Sequence, residues 1–149
     1  MIRPFEYRDM ECLLSIWLSA SIKAHDFIDA SYWQSHTKMM RNVYIPASVT
    51  YVIEGSSGVQ GFYSLMSDQL AALFVDPAHQ GKGLGKQLIG HAKLLRNELK
   101  LAVYKANSPS VAFYQSQGFK WVKEQSDPQT GCVEYLMTWR RRIPIPFKN

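Results

Sequence analysis

Apolar residues recur at three- and four-residue spacing in several stretches of the chain, which predicts amphipathic helices. Asp9 precedes the first stretch as a candidate N-cap. The last stretch begins at Ser108, the candidate N-cap, with Pro109 in the first turn, and it ends at Gly118. The apolar residues of the other stretches are Leu13, Trp17 and Ala20; Trp33, Met40 and Val43 within residues 31–44; and Leu84, Leu88, Ile89, Ala92 and Leu95.

Seven short stretches rich in apolar and β-branched residues predict strands between these helices. Residues 70–75 are almost continuously apolar, which indicates a central strand buried on both faces. The resulting order is β-α-α-β-β-β-α-β-α-β-β, a mixed sheet covered by helices. The predicted strands are residues 2–5, 49–54, 59–66, 70–75, 99–104, 119–124 and 132–139.

The composition is typical of one soluble globular domain. Of 149 residues, 46% are apolar and 19% charged, enough to bury a core. Residues from about 140 to 149 read as a basic, proline-containing tail on this domain. No apolar run approaches the roughly twenty residues of a membrane span, and the N-terminus lacks the apolar segment of a secretory signal.

The cysteines, histidines and basic residues indicate which kinds of ligand the chain is expected to bind. Cys12 and Cys132 lack paired spacing, which favours reduced thiols in the cytoplasm, and the scattered histidines predict no metal site. The net charge of +5 lies partly in residues 140–142 and is otherwise dispersed. A nucleic-acid binder usually shows a concentrated basic face, so the charge fits an anionic small ligand better.

The stretch from Phe74 to Gly85 reads as a strand, a glycine-rich turn and the start of a helix. Such a turn presents backbone N–H groups at a helix N-terminus, where the macrodipole favours an anion. The spacing excludes a Walker loop and a dinucleotide fingerprint, because the required glycine is missing at Gln80 for the first and at Lys86 for the second. A phosphorylated ligand is therefore expected, with a plain strand-to-helix turn as the alternative.

Three motifs in this order resemble the GNAT superfamily of acyl-CoA-dependent N-acyltransferases. Residues 80–85 match its Gln/Arg-x-x-Gly-x-Gly/Ala motif, the preceding Phe-Val-x-Pro also matches, and so does the pattern from Asn107 to Phe119. The resemblance implies an α/β (α+β mixed) fold. Its mostly antiparallel sheet would have about seven strands, flanked by about four helices, and would splay between strands four and five.

The resemblance also assigns a binding site for acetyl-CoA. Backbone N–H groups of the glycine turn would hold the pyrophosphate, and the main chain of the preceding strand would pair with the pantetheine arm. Asn107 would hydrogen-bond the pantetheine arm or the acyl end. Lys82 and Lys86 would contact phosphate groups; the alternative for Lys86 is a place on a solvated basic face. The implied binding residues are Phe74, Val75, Gln80, Gly81, Lys82, Gly83, Leu84, Gly85, Lys86, Asn107 and Tyr114.

Acetyl transfer to an amine needs a neutral amine, a polarised carbonyl and an acid for the departing thiolate. The resemblance implies Tyr114 as that acid; the alternative is an aromatic of the core. A backbone N–H near Val75 would serve the oxyanion. The fourth strand carries no carboxylate, so His25, Asp26 and Glu54 are the candidate bases.

The acceptor is expected beside the segment that follows the first helix. Paired acidic and aromatic residues there are suited to a cationic amine, so His25, Phe27, Tyr32 and Trp33 are candidate contacts. In the alternative, His25 and Asp26 merely close a helix and the aromatic rings pack inward. The other histidines, His36, His79 and His91, are predicted to lie on the surface.

The sequence therefore predicts an acetyl-CoA-dependent N-acetyltransferase acting on a primary amine. The acceptor is left open among a small molecule, a protein lysine and a protein N-terminus. One alternative is a GNAT-fold module that binds CoA without transferring an acetyl group. Another is a nucleic-acid binder that uses the basic tail. The chain is expected to be a monomer or homodimer without a membrane partner.

Overall fold

A computed structural model describes residues 1–143 of the chain. The strands are β1 (Ile2–Pro4), β2 (Val49–Gly55), β3 (Gly58–Met66), β4 (Gln69–Val75), β5 (Glu98–Tyr104), β6 (Lys120–Ser126) and β7 (Val133–Arg140). The helices are α1 (Met10–Ala24), α2 (Ala30–Ser35), the single turns α3 (Thr37–Met39) and α4 (Ile45–Ala47), α5 (Leu84–Leu95) and α6 (Ser108–Ser116). Turns of 3₁₀ helix cover Tyr7–Asp9 and Pro77–His79, and a π-helical turn covers Met40–Tyr44.

The seven strands form one sheet in the order β1-β2-β3-β4-β5-β7-β6. Every neighbouring pair is antiparallel except β4 and β5, which are parallel and share a single register pair, Gln69 with Lys100. Beyond that pair the two strands separate toward Val75 and Tyr104. The mixed sheet, its four longer helices and the splay between strands four and five confirm the predicted fold class.

The core lies on both faces of this sheet. Successive residues of β3 point to opposite faces, so Tyr63 packs with Leu88 of α5 on one side and Phe62 packs with Leu13 of α1 on the other. All four are fully buried. The helices that flank the splay are thus anchored to opposite faces of the sheet.

The predicted burial of the fourth strand on both faces is wrong. Residues 71–75 are half-buried or exposed, and only Leu70 of β4 is buried. The reason is the splay, because β4 lacks a neighbouring strand along most of one edge and faces a cleft there. Apart from Leu70, its apolar residues therefore lie at the margins of the two core clusters and line a cavity.

The predicted continuous helix over residues 31–44 is also wrong, since the chain forms α2, α3, a π-helical turn and α4 in succession. At the first break, Ser35 Oγ and His36 Nδ1 each lie 2.7 Å from the Tyr32 carbonyl oxygen. The His36 N–H bonds to Trp33 instead of Tyr32. Side chains that compete for a backbone carbonyl interrupt the helical pattern.

Two predicted helix caps also differ from the structure. The N-cap of α6 is Asn107, whose Oδ1 accepts from the Ser110 N–H at 3.4 Å, and Ser108 is already inside the helix. Asp9 occupies the N-cap position of α1, but its carboxylate turns away from that helix. Gly118 follows α6 with a φ of 89°, as predicted for a glycine at a helix C-terminus.

The start of the predicted basic tail belongs to the fold. Arg140 ends β7 and pairs with Glu98 at 2.8 Å, and the Arg141 guanidinium lies over the Trp139 ring and donates to the Lys93 carbonyl. These contacts occupy two of the arginines that the nucleic-acid alternative required. Residues 144–149 of the predicted tail lie outside the described residues. Among residues 1–143, no helix is long and apolar enough to cross a membrane.

The Asp9 carboxylate forms a partly buried charge network with β1. It accepts from Arg3 Nη1 and Nη2 at 2.8 and 2.9 Å and from the Glu6 N–H at 2.8 Å. Arg3 also pairs with Glu54 at 3.1 Å, which ties β1 to β2. The hydrogen bonds from Arg3 lower the pKa of Asp9, because they stabilise its charged form.

We expect Asp9→Asn to lower the free energy of unfolding by about 2–3 kcal/mol at pH 7, because Arg3 then keeps only one carboxylate partner. The difference from wild type should shrink in acid, since a carboxylate with a lowered native pKa loses its contribution as pH falls through that pKa. Urea unfolding across pH values measures both effects. The control Glu11→Gln breaks an exposed 2.7 Å pair with Arg41 and should cost under about 1 kcal/mol. Equal losses in the two variants at pH 7 would contradict the assignment.

Candidate active site

A cleft of about 800 Å³ opens where β4 and β5 separate. One wall is β4 with the glycine turn and the start of α5, and the other is β5 with α6 and part of β7. The end of α1 and Trp33 of α2 complete it. The cleft is therefore a direct consequence of the sheet topology, and it contains most of the residues that the sequence singled out.

The glycine turn has the backbone conformation that an anion cradle requires. Gly81 and Gly83 have φ values of 81° and 79°, which strongly favour glycine, and a Cβ at either position would meet nothing within 4 Å. The first N–H groups of α5, which follow Gly83, have no partners within the helix. Gln80 fastens the turn to β4, since its Nε2 donates to the Val75 carbonyl at 3.2 Å. This geometry fits a pyrophosphate.

The two lysines of the turn differ in position. Lys86 lines the cleft, whereas Lys82 is not among the described lining residues and its Nζ lies 3.4 Å from His79 Nδ1. Gly85 also has a packing role, because a Cβ there would approach the Phe113 ring of α6 at 3.4 Å. Lys86 and the close contact between α5 and α6 at Gly85 therefore lie at the same end of the cleft.

His25 and Asn107 meet across the cleft, although 82 positions separate them. Asn107 Nδ2 lies 3.3 Å from His25 Nε2. Because Asn107 Oδ1 accepts from the Ser110 N–H, the amide nitrogen is the group that faces the imidazole. An N–H that points at Nε2 requires a lone pair there, so the neutral imidazole carries its proton on Nδ1.

His25 is buried among aromatic rings. It stacks on Trp33 with centroids 5.0 Å apart, and the edge of Tyr104 approaches it at 5.2 Å. Burial lowers the pKa of the imidazole, and the Ser21 carbonyl opposes that shift. The side chain is therefore neutral near pH 7, the state that a general base needs.

Tyr114 lines the same cleft from α6. Its ring packs edge-on against Phe113 and Phe119, with centroids 5.3 and 5.6 Å away. Burial raises the pKa of the phenol, so the hydroxyl stays protonated at neutral pH. A protonated group beside a cleft is available as an acid, whatever share of the ring also packs in the core.

Of the other predicted site residues, Trp33 lines the cleft, whereas Asp26, Phe27 and Tyr32 lie outside its described lining. Asp26 is exposed, and Phe27 packs edge-on against His25 and Tyr104, with centroids 5.7 Å away in each case. Tyr32 lines a second cavity of about 250 Å³, and Trp33 borders both cavities.

Glu54, a candidate base, is hydrogen-bonded to Arg3 and is absent from the lining described here. His36, His79 and His91, which were predicted to lie on the surface, are half-buried and thus partly exposed. His91 is hydrogen-bonded to the Tyr63 hydroxyl at 2.5 Å, and the His36 ring packs on Tyr32. The pattern of residues along the chain does not reveal either contact. Residues 1–143 contain no group of three or more potential metal ligands.

Two acidic residues near the cleft are not among the site residues predicted from the sequence. Glu134 of β7 lines it, and Asp127, in the turn between β6 and β7, accepts from the Tyr104 hydroxyl at 2.5 Å. The strand pattern predicts that Glu134 lies on a strand, but it does not predict which residues of the neighbouring strands lie beside it. Asp127 also stabilises the turn itself, since its carboxylate accepts from the Gln129 N–H.

Comparisons with known proteins identify the family to which the chain belongs. Residues 46–121, just over half of the chain, match the family model described as an acetyltransferase (GNAT) domain. The chain is 33% identical over 140 residues to peptidyl-lysine N-acetyltransferase YiaC of Escherichia coli. The aligned region covers 93% of this chain and 96% of YiaC.

Solved structures show the same fold. The solution structure of apo-form YjaB from Escherichia coli superposes with a TM-score of 0.81 at 28% identity, over 93% of this chain and 95% of that one. YncA, a putative acetyltransferase from Salmonella typhimurium solved with its cofactor acetyl-CoA, superposes with a TM-score of 0.66 at 17% identity, over 99% and 97% of the two chains. The chain belongs to the GNAT family and is an acetyl-CoA-dependent N-acetyltransferase.

Proposed function

We propose that the protein acetylates the side-chain amine of lysine in a peptide or protein. The observation that carries this proposal is the 33% identity to YiaC, a peptidyl-lysine N-acetyltransferase, along nearly the whole chain. The structure supports it, because the aromatic rings around His25 suit the aliphatic stem of a lysine. A cytoplasmic location, a monomeric or homodimeric state and the absence of a nucleic-acid partner stay predictions from the sequence.

The proposed acetyl-CoA site follows the wall formed by β4 and α5. Backbone N–H groups from Gln80 to Gly85 hold the pyrophosphate, and Lys86 adds a positive charge. The free edge of β4 at Phe74 and Val75 offers main-chain groups to the pantetheine arm. Bound there, acetyl-CoA supplies the acetyl group as a thioester.

In the proposed mechanism, His25 and Tyr114 move the protons. His25 Nε2 removes a proton from the acceptor amine, which must displace the long contact from Asn107 to reach it. The Tyr114 hydroxyl gives its proton to the departing sulfur. Asp26 remains a second predicted base, although its exposure and its position outside the described lining favour His25.

The acceptor class can be tested with three amines under identical conditions. With acetyl-CoA, we expect fastest thiol release and ε-acetylation on a lysine peptide whose N-terminus is blocked. A lysine-free peptide with a free N-terminus and the polyamine spermidine should react at least about tenfold more slowly, since each 1.4 kcal/mol of lost recognition is a factor of ten. Preference for either control amine would contradict the lysine proposal. Binding of acetyl-CoA without any transfer would favour the alternative of a CoA-binding module.

Tyr114→Phe removes the proposed acid and keeps the ring. We expect kcat to fall about 10²-fold, with the dissociation constant of acetyl-CoA changed less than about twofold, because general acids contribute roughly 10²–10⁴-fold and a thiolate leaves readily. Thiol-release kinetics and calorimetric binding measure the two quantities. Tyr7→Phe, at an 81% exposed tyrosine, is the matched control. An unchanged kcat would remove Tyr114 from the chemistry.

The pH profile tests His25 as the base. A buried imidazole with a lowered pKa loses activity only when acid protonates it, so the acidic limb of log(kcat/KM) should lie below pH 6.5 in wild type. His25→Gln should lower kcat/KM about 10²-fold or more and abolish that limb. Asp26→Asn tests the other candidate base and should leave the limb in place. Loss of the limb in Asp26→Asn alone would assign the base to Asp26.

A further inference from the structure

The charges that line the cleft are unevenly distributed. Lys23 and Lys86 lie toward α1 and the glycine turn, whereas Glu134 is the one carboxylate among the described lining residues. It stands on the opposite wall, in β7, and is half-buried. A carboxylate in a cleft otherwise suited to an anion calls for a cationic partner, since a partly desolvated charge is costly unless it is paired.

Glu134 lies on the same sheet face as the aromatic group around His25. It is directly opposite Tyr104 in the β5–β7 register, and residues directly opposite in a sheet project to the same side. Tyr104 in turn contacts the His25 ring. The register therefore places a negative charge next to Tyr104, whose ring contacts the proposed base, and across the splay from the glycine turn.

The Glu134 carboxylate is held in position but keeps an oxygen available. Gln125 Nε2 donates to Oε1 at 2.8 Å, and no ion pair to Glu134 occurs among the described residues. Asp127, the other nearby acid, differs because it accepts from Tyr104, from the Gln129 N–H and from Thr130 Oγ1. Asp127 thus organises the loop, and Glu134 is the acid that can take a ligand.

We propose that Glu134 is the residue that recognises the positive charge of the acceptor amine. The inference rests on the proposed function and names the part of the site that selects a cationic acceptor. The carboxylate pairs with the lysine ammonium on entry, before His25 removes a proton. Since the pairing stabilises the bound ammonium and takes no part in bond formation, its loss raises KM and leaves kcat nearly unchanged.

Glu134→Gln tests this, because the amide keeps an oxygen for Gln125 and removes only the charge. With the blocked lysine peptide at saturating acetyl-CoA, we expect KM to rise about tenfold, with kcat and the acetyl-CoA dissociation constant within about twofold of wild type. The same peptide with norleucine in place of lysine carries no amine. Its inhibition constant should be equal in wild type and variant, a result that a disturbed cleft would not give.

Glu124→Gln is the matched control, since Glu124 is exposed on β6 and is paired with Tyr135 rather than with Glu134. It should leave KM unchanged. If wild type acetylates the lysine peptide and Glu134→Gln has the same KM, the recognition role is overturned while the proposed function stands. If KM and the inhibition constant of the norleucine peptide rise together, Glu134 maintains the shape of the cleft and does not recognise the charge of the amine, which also overturns the inference. If wild type does not acetylate the peptide, the proposed function fails, and this inference fails with it.

Discussion

The separation of β4 from β5 is the constraint on which the site depends. The two parallel strands share one register pair, Gln69 with Lys100, and then diverge, so the main-chain groups along both inner edges lack a neighbouring strand. Backbone polar groups away from water need partners, and an extended ligand arm can provide them in the manner of an added strand. The same divergence exposes the apolar run of β4 and sets the glycine turn opposite α6. A continuous sheet would have neither a cleft nor a place for the thioester.

Features set by local backbone chemistry were predictable from the sequence. The positive φ values at Gly81, Gly83 and Gly118 follow from residues near each of them in the chain. Features that depend on distant partners were not. The contact between His25 and Asn107 spans 82 positions, and the position of Glu134 follows from a strand register that hydrophobic alternation does not specify. Hydrophobic periodicity also failed to predict the break after α2, where the Ser35 and His36 side chains contact the Tyr32 carbonyl oxygen. These contacts depend on side-chain rotamers, which periodicity does not specify.

The neighbourhood of His25 is also where the described structure leaves buried polar atoms without hydrogen bonds. Ser21 Oγ and Trp33 Nε1 lack a partner, and His25 Nδ1 makes no hydrogen bond of regular geometry, although the Ser21 carbonyl acts on the pKa of the ring. Ser21 lies one helical turn before His25 on α1, and Trp33 stacks on the imidazole, so the three belong to one region. Each unsatisfied buried group costs about 1–3 kcal/mol. Among the described buried side-chain polar atoms, the unsatisfied ones therefore cluster around the imidazole, whose pKa burial lowers.

Recognition of the amine and removal of its proton make opposite demands. A carboxylate close to an ammonium raises the pKa of the amine, which opposes the proton transfer. In water, the transfer from lysine, with a pKa near 10.4, to an imidazole near 6.5 is already uphill by about 5 kcal/mol. Burial widens that gap by lowering the pKa of His25, unless the same aromatic surroundings desolvate the ammonium and lower its pKa as well. Glu134 on β7 eases this conflict, because its carboxylate stabilises the positive charge on the amine and, after proton transfer, on the His25 imidazole alike. Its loss therefore weakens binding of the acceptor more than it changes the transfer step.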